Sequence, residues 1–287
     1  MLFLFAGGSA MLQSLERVAY DWGVQASSRD AGDLISIIAI DEQSIANIGR
    51  WPWSRNVHAE MTDLLAKAEA KVIGNTIFFI EPQIDPGLAH INKISEFVQQ
   101  AGARQTTQEA TSTAEPVEPV GAESDTLLTE LGALLAEAES QLNADAKLAG
   151  SFENAGNVIV AMPFVIGEPR GNPDKPLPEY VSRNSLGKVV DRIGAEAAGW
   201  LPIPTLSALP PIPQIGEHAA AIGHLNASPD VDGAIRSEPL ILAHYDQYYP
   251  SLSMLIAARY LNLRPQDIEV RLGEGVRLSK LNIATDP

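Results

Sequence analysis

Three apolar runs, at 34–40, 72–80 and 157–166, the first of them continuous and β-branched, alternate with stretches of helical periodicity, and that alternation is what most limits the fold. A strand apolar on both faces must be covered on both, which a parallel sheet flanked by helices provides. Between the first two runs, Met61, Leu64, Leu65 and Ala68 place an apolar stripe on a helix from His58 to Ala70, so the chain reads β-α-β as far as Ile80. Leu88, Ile91, Ile94, Phe97 and Val98 predict the next helix. Leu127, Leu131, Leu134, Leu135, Ala138 and Leu142 predict a long one after it. Between them, residues 102–125 are rich in Thr, Ala, Glu and Pro with almost nothing to bury, and a mobile loop is expected. The expected class is α/β: a central mostly parallel or mixed sheet flanked by helices, with a helical-hairpin insertion at about 87–150 and C-terminal β-hairpins.

The last third changes character. Residues 168–179 are dense in Pro, Gly and charge, and 201–213 carry more prolines, so the first is expected as an exposed loop and the second as an extended connection without regular structure. The runs 219–225 and 235–243 are expected as strands of one hairpin, joined through the turn sequence Asp230-Val-Asp-Gly233. Ser251 opens a helix through Leu263, and 268–272 with 276–278 form a final hairpin around Gly273-Glu-Gly275. At the other end, the uncharged segment 1–12 is too short to span a bilayer alone, because a spanning helix needs roughly 20 apolar residues. It reads as the tail of a membrane helix, a clipped targeting segment or the apolar face of a first helix, and it runs into Leu15, Val18, Ala19 and Trp22 at helical spacing; residues 1–30 are set apart from a single domain expected at 31–287.

Charge narrows the function. The 287 residues carry 36 Asp and Glu against 20 Lys and Arg, a net −16, which repels a nucleic-acid backbone. There is no cysteine, hence no disulfide and no thiolate metal site. The phosphate-cradling Gly-x-x-x-x-Gly-Lys-Ser/Thr loop, the Gly-x-Gly-x-x-Gly dinucleotide fingerprint and the His-Glu-x-x-His metal pair are all missing. No cofactor is expected.

Several positions stand out as candidate binding residues. Asp41 and Glu42 follow the first apolar run, where α/β sheets place ligands, although Asp41 or Ser44 can equally cap the helical turn that follows. In Trp51-Pro-Trp53-Ser-Arg55, with His58 behind, two indoles and a guanidinium have the chemistry to stack on and neutralise a planar anion, or to plug the end of a sheet. Glu81 and Asp85 form a second acidic loop. His224 and Asn226 end a strand, where a core histidine satisfied by hydrogen bonds is the commoner case. Asp232 belongs to a fragment of a calcium loop that lacks its third acid and its distant Glu.

In order and spacing these motifs resemble the second type of CHASE domain, a sensory module of bacterial receptors. The matching residues are Tyr20-Asp21, 37–44 (IIAIDEQS), 49–55 (GRWPWSR) with His58, 72–74 (VIG), 79–82 (FIEP), 223–226 (GHLN), 230–236 (DVDGAIR) and 249–252 (YPSL). They cover most of the chain outside the hairpin insertion and the Pro-rich stretches. The resemblance implies an extracytoplasmic sensor with one transmembrane helix before it and several after it. A cytoplasmic serine/threonine kinase, adenylate or guanylate cyclase, or histidine kinase would then complete the receptor. It implies no catalysis by this segment, an unidentified small ligand or envelope cue, a possible homodimer, and residues 1–12 as the outer end of the first membrane helix. Asn75 stands where the family commonly has Asp, which removes a charge from that position. Two other readings remain open from the residues: a divalent-metal-dependent envelope hydrolase using Asp41, Glu42 and Asp232, and a docking module whose hairpin binds a protein.

Overall fold

The computed structural model describes residues 3–27, 32–83, 85–109, 121–171 and 176–285. The chain divides into two units, Met1–Trp51 and Pro52–Pro287. In the first, helix α1 (Phe3–Ala26) is followed by α2 (Glu42–Ile48). Residues 35–40, expected as a doubly covered strand, form none, and Ile37 is 88% exposed. β-branching favours a pleated surface only when a neighbouring strand supplies the hydrogen bonds and the packing. No described strand pairs with this run, so the β-α-β unit expected at its start is not formed.

The second unit is built on a parallel sheet, β1 (Ile73–Asn75), β2 (Val158–Met162) and β6 (Ala221–His224), in the order β1-β2-β6. The middle strand is wholly buried. Its alternate residues explain why an unbroken apolar run is needed there. Val158, Val160 and Met162 pack with Ala59 of α3 (Arg55–Lys67) and with Leu148 and Phe152 of α6 (Ala144–Ala155), while Ile159 and Ala161 pack with Leu252, Leu255 and Ala258 of α9 (Leu252–Tyr260). Burying a side chain the size of Phe152 contributes about 3 kcal/mol. The three-layer α/β class is as expected.

Between β1 and β2 lie α4 (Pro86–Glu109) and α5 (Gly121–Leu142), which pack on each other as a helical pair. Helix therefore occupies 102–109 and 121–125 of the stretch expected as a loop; the rest of that stretch, 110–120, lies outside the described residues. The inserted pair ends earlier than the expected 150. Asn143 caps α6, its Oδ1 accepting from Ala146 N–H at 3.0 Å, and α6 turns into the core against α3.

Two mixed sheets complete this unit. One has the order β3-β5-β7-β8, from β3 (Phe164–Ile166), β5 (Ile203–Ala208), β7 (Ile241–His244) and β8 (Gln247–Pro250). The other has the order β11-β10-β9-β4, from β4 (Lys188–Val190), β9 (Ile268–Arg271), β10 (Gly275–Leu278) and β11 (Leu281–Ala284). Short helices α7 (Glu179–Ser182) and α8 (Pro213–Gly216) lie between these strands in sequence. The expected hairpin at 268–278 is present and gains β11.

Two expectations fail here. The Pro-rich connection contains β5, because Pro204 sits where its missing N–H is not needed: its carbonyl accepts from Gly167 N–H at 3.0 Å. The hairpin expected between 219–225 and 235–243 does not form. Gly233 does take φ 83° in the predicted turn, but β6 pairs with β2, and β7 pairs with β5 and β8. The turn chemistry was legible; the partners were not.

Candidate functional site

Ser54 caps α3, and this places Arg55 at the helix start beside the loop that follows β1. The Arg55 guanidinium is then consumed within the fold. One Nη is paired with Asp145 of α6 and the other donates to the Glu81 carbonyl, while the backbone N–H donates to Gln83 Oε1 at 2.7 Å. Gln83 completes the clasp, its N–H donating to Asp145 Oδ2 at 3.0 Å and its amide to Ser54 Oγ at 3.1 Å. Only 11% of the Arg55 side chain and 6% of Asp145 remain exposed. The guanidinium lies over Phe79, 5.4 Å from the ring centroid. His58 is buried between Trp53 and Phe79, with centroids 6.4 and 6.1 Å away, and burial, then the Arg55 charge, holds its pKa below the usual imidazole value. Trp53, Arg55, His58 and Glu81 are thus brought together, as a clasp joining α3, α6 and the β1 loop. Sequence reasoning missed Asp145 and Gln83, which carry no local signature.

A second cluster gathers around Phe164. Asn226 Oδ1 accepts the Phe164 N–H at 3.0 Å and its amide donates back to the Phe164 carbonyl at 2.7 Å, replacing a strand neighbour after Pro163. His224, His244 and Tyr249 stand against the same ring, at centroid distances of 6.5, 5.6 and 5.3 Å. Thr205 Oγ1 lies 2.9 Å from His244 Nδ1. His224 differs from a satisfied core histidine: it is fully buried and neither ring nitrogen has a hydrogen bond of acceptable geometry. Burial lowers its pKa to about 4, an effect that the Leu240 backbone only partly offsets. Tyr249 is pushed the other way, to about 12, by burial and then by Asp246. His244 and Thr205 sit on strands whose pairing was not predicted, so their meeting could not be foreseen.

Asp232 is held by its own turn. Arg236 reaches Asp232 Oδ1 and Oδ2 at 2.9 and 2.8 Å and Asp230 Oδ2 at 2.7 Å. In the first unit, Asp41 forms a capping box with Ser44 of α2, with Ser44 N–H donating to Asp41 Oδ1 and Asp41 N–H donating to Ser44 Oγ, both at 2.8 Å. The bond from the Ser44 backbone is the main reason its pKa is lowered. Glu42 occupies the first turn of α2, and Trp51 closes the first unit, exposed. Asp85 caps α4 through the Gly87 N–H at 2.7 Å. Among the described residues no group of three or more His, Asp and Glu is placed to hold a metal ion. A small cleft of about 120 Å³, lined by Trp200, Leu240, Ile241, Leu272 and Val276 among others, lies beside the second mixed sheet. It is smaller than the roughly 300 Å³ at which pockets for drug-sized ligands begin.

Asp41, Arg55, Asp85, Asn226 and Asp232 are thus engaged in capping, clasping or turn bonds. No curated protein and no solved structure matches the chain. The model of the CHASE2 domain matches residues 1–286. Since that match spans essentially the whole chain and contains every motif above, the chain belongs to the CHASE2 domain family, a family of sensory and not catalytic domains.

Proposed function

We propose that this domain is the extracytoplasmic sensor of a bacterial membrane receptor, binding a cue and passing it to a cytoplasmic output domain of the kinase or cyclase type. The observation that carries this reading is the family match over residues 1–286. The engagement of Asp41 and Asp232 in structural bonds supports it against the metal-hydrolase alternative. No described helix is long and apolar enough to cross a membrane. In this reading α1, 24 residues and about 36 Å long, is the mechanical link to the membrane. A cue that binds one packing of the domain better than another shifts the population between them, and a dimer converts that shift into altered helix pairing. Docking through the α4–α5 pair is a second reading, favoured by Phe97, Leu127 and Leu134, which stand exposed on it.

Because the chain has no cysteine, placement can be read with one introduced thiol. Val231 is 89% exposed in the Asp230 turn. With Val231→Cys in the native-length protein, a membrane-impermeant maleimide should label intact cells above the level seen with the unsubstituted protein. Labelling only after lysis would remove the extracytoplasmic assignment.

A further inference from the structure

The sheet β11-β10-β9-β4 has two unlike faces. Val189, Val270, Val276 and Ile283 are register partners and turn into the core, with Ile268, Leu272 and Leu278 beside them. The opposite face carries the row Lys188, Glu269, Arg277 and Asn282, and next to it Val190, Arg271, Gly275 and Ala284. Cross-strand partners and residues two apart share a face, so one carboxylate lies among Lys188, Arg271 and Arg277. Arg192 joins them from the loop after β4, its Nη2 3.3 Å from Glu269 Oε1. That loop is fixed by Asp191, whose carboxylate accepts the N–H groups of Ile193, Gly194, Ala195 and Glu196 at 2.8–3.2 Å.

Several other described arginines are already engaged one by one. Arg55 has Asp145, Arg236 has Asp230 and Asp232, and Arg264 has Asp267, while Arg183 and Arg259 spend their charge on backbone carbonyls. Here three cations, Lys188, Arg192 and Arg271, pair with one carboxylate, and Arg277 stands at its cross-strand register position, in a chain whose net charge is −16. Glu269 is only 7% exposed and acts as a hub: Lys188 Nζ lies 2.6 Å from Oε2 and Arg271 Nε 2.8 Å from Oε1. Those bonds, Lys188 first and Arg271 next, hold its pKa near 2, so it stays charged under the cations across any ordinary pH. It holds Lys188, Arg192 and Arg271 without consuming either guanidinium, since Arg271 binds it through Nε alone and Arg192 through one Nη, while Arg277 is held by the Ser279 carbonyl. Lys188 and Arg192 remain 58% and 52% exposed. Gly275 and Ala284 give the face a low floor beside Arg271. Gly275 could not be otherwise, because a Cβ there would lie 2.0 Å from the Ile283 carbonyl oxygen.

We propose that this face, Lys188, Arg192, Arg271 and Arg277 arranged around Glu269, is a binding site for a small anion with two or more negative charges, a phosphate or a polycarboxylate. Guanidinium forks suit both chemistries, and a pre-oriented set loses less side-chain freedom on binding than free surface cations do. A large anionic surface fits poorly, since the rest of the molecule would repel it. The site stands on this sheet alone; only its use as the receptor's input rests on the sensor reading.

The test is calorimetric titration of the full chain with inorganic phosphate and, separately, citrate, each against chloride at the same ionic strength. Saturable binding of at least one probe is expected, weakened about tenfold by Arg271→Gln and by Arg277→Gln, and the probe that binds identifies the source. Arg277→Gln loses only an exposed bond to the Ser279 carbonyl, 2.7 Å, so it keeps the test valid if Arg271→Gln fails to fold. Binding of neither probe, or equal affinity in a folded variant, overturns the site and leaves the sensor reading intact. Binding with no change in the output of the native-length receptor leaves the site standing and counts against its role as input.

Discussion

His224 is a neutral imidazole held where its charged form is disfavoured, and its consequences belong to the scale of one residue. Its pKa is about 4 in the fold and about 6.5 in an unfolded chain. Between those values the unfolded state binds one more proton. The stability that His224 supplies is therefore complete above about pH 6.5 and is lost as pH falls toward 4, at about 1.4 kcal/mol per pH unit. Urea unfolding between pH 4 and 7 should show this slope, and His224→Gln should remove about one proton's worth of it; an unchanged slope would contradict the burial. Arg55 carries the opposite lesson. The motif around it was legible as special, but its partner Asp145 is 90 positions away and nothing local announces the pair. Removing one member of a buried pair strands the other, so Asp145→Ala should cost about 3 kcal/mol in urea unfolding. A loss below 1 kcal/mol would mean that the clasp is not the role of Arg55.

At the scale of elements, what could be read from sequence was whatever local periodicity decides. The helices beginning at Arg55, Pro86 and Leu252 were visible from apolar spacing and caps, and β2 from an unbroken apolar run. What could not be read was pairing. Residues 34–40 have the composition of a strand and find no partner, while 203–208 hold Pro204 and find two. The hydrogen bonds that define a strand belong to its neighbours, which sequence-local reasoning does not see. Gly223 marks one such contact. A Cβ there would lie 2.7 Å from Leu252 Cα and 2.8 Å from Leu252 N, backbone atoms at the start of α9 that cannot swing aside. Gly223→Ala should therefore cost about 2 kcal/mol by forcing β6 and α9 apart. An unchanged thermal midpoint would show that the two elements are not this close.

At the scale of the molecule, the second unit joins three sheets and their helices through two buried clusters that share β2. A disturbance at β6 or α9 thus has a packed route to both faces of the central strand. The functional residues were the least legible part, because their chemistry depends on which groups are already satisfied. Arg55 looked available and is not, whereas Glu269 and its cations lie on strands and one loop with no motif to mark them. The sensor reading makes the packing itself the signal-bearing quantity. The most direct measurement is the output activity of the native-length protein in its own membranes, compared between wild type and Gly223→Ala. The account predicts altered basal output or an altered response in the variant, with the output domain itself untouched. Identical output from a variant whose sensor domain is measurably destabilised would contradict it.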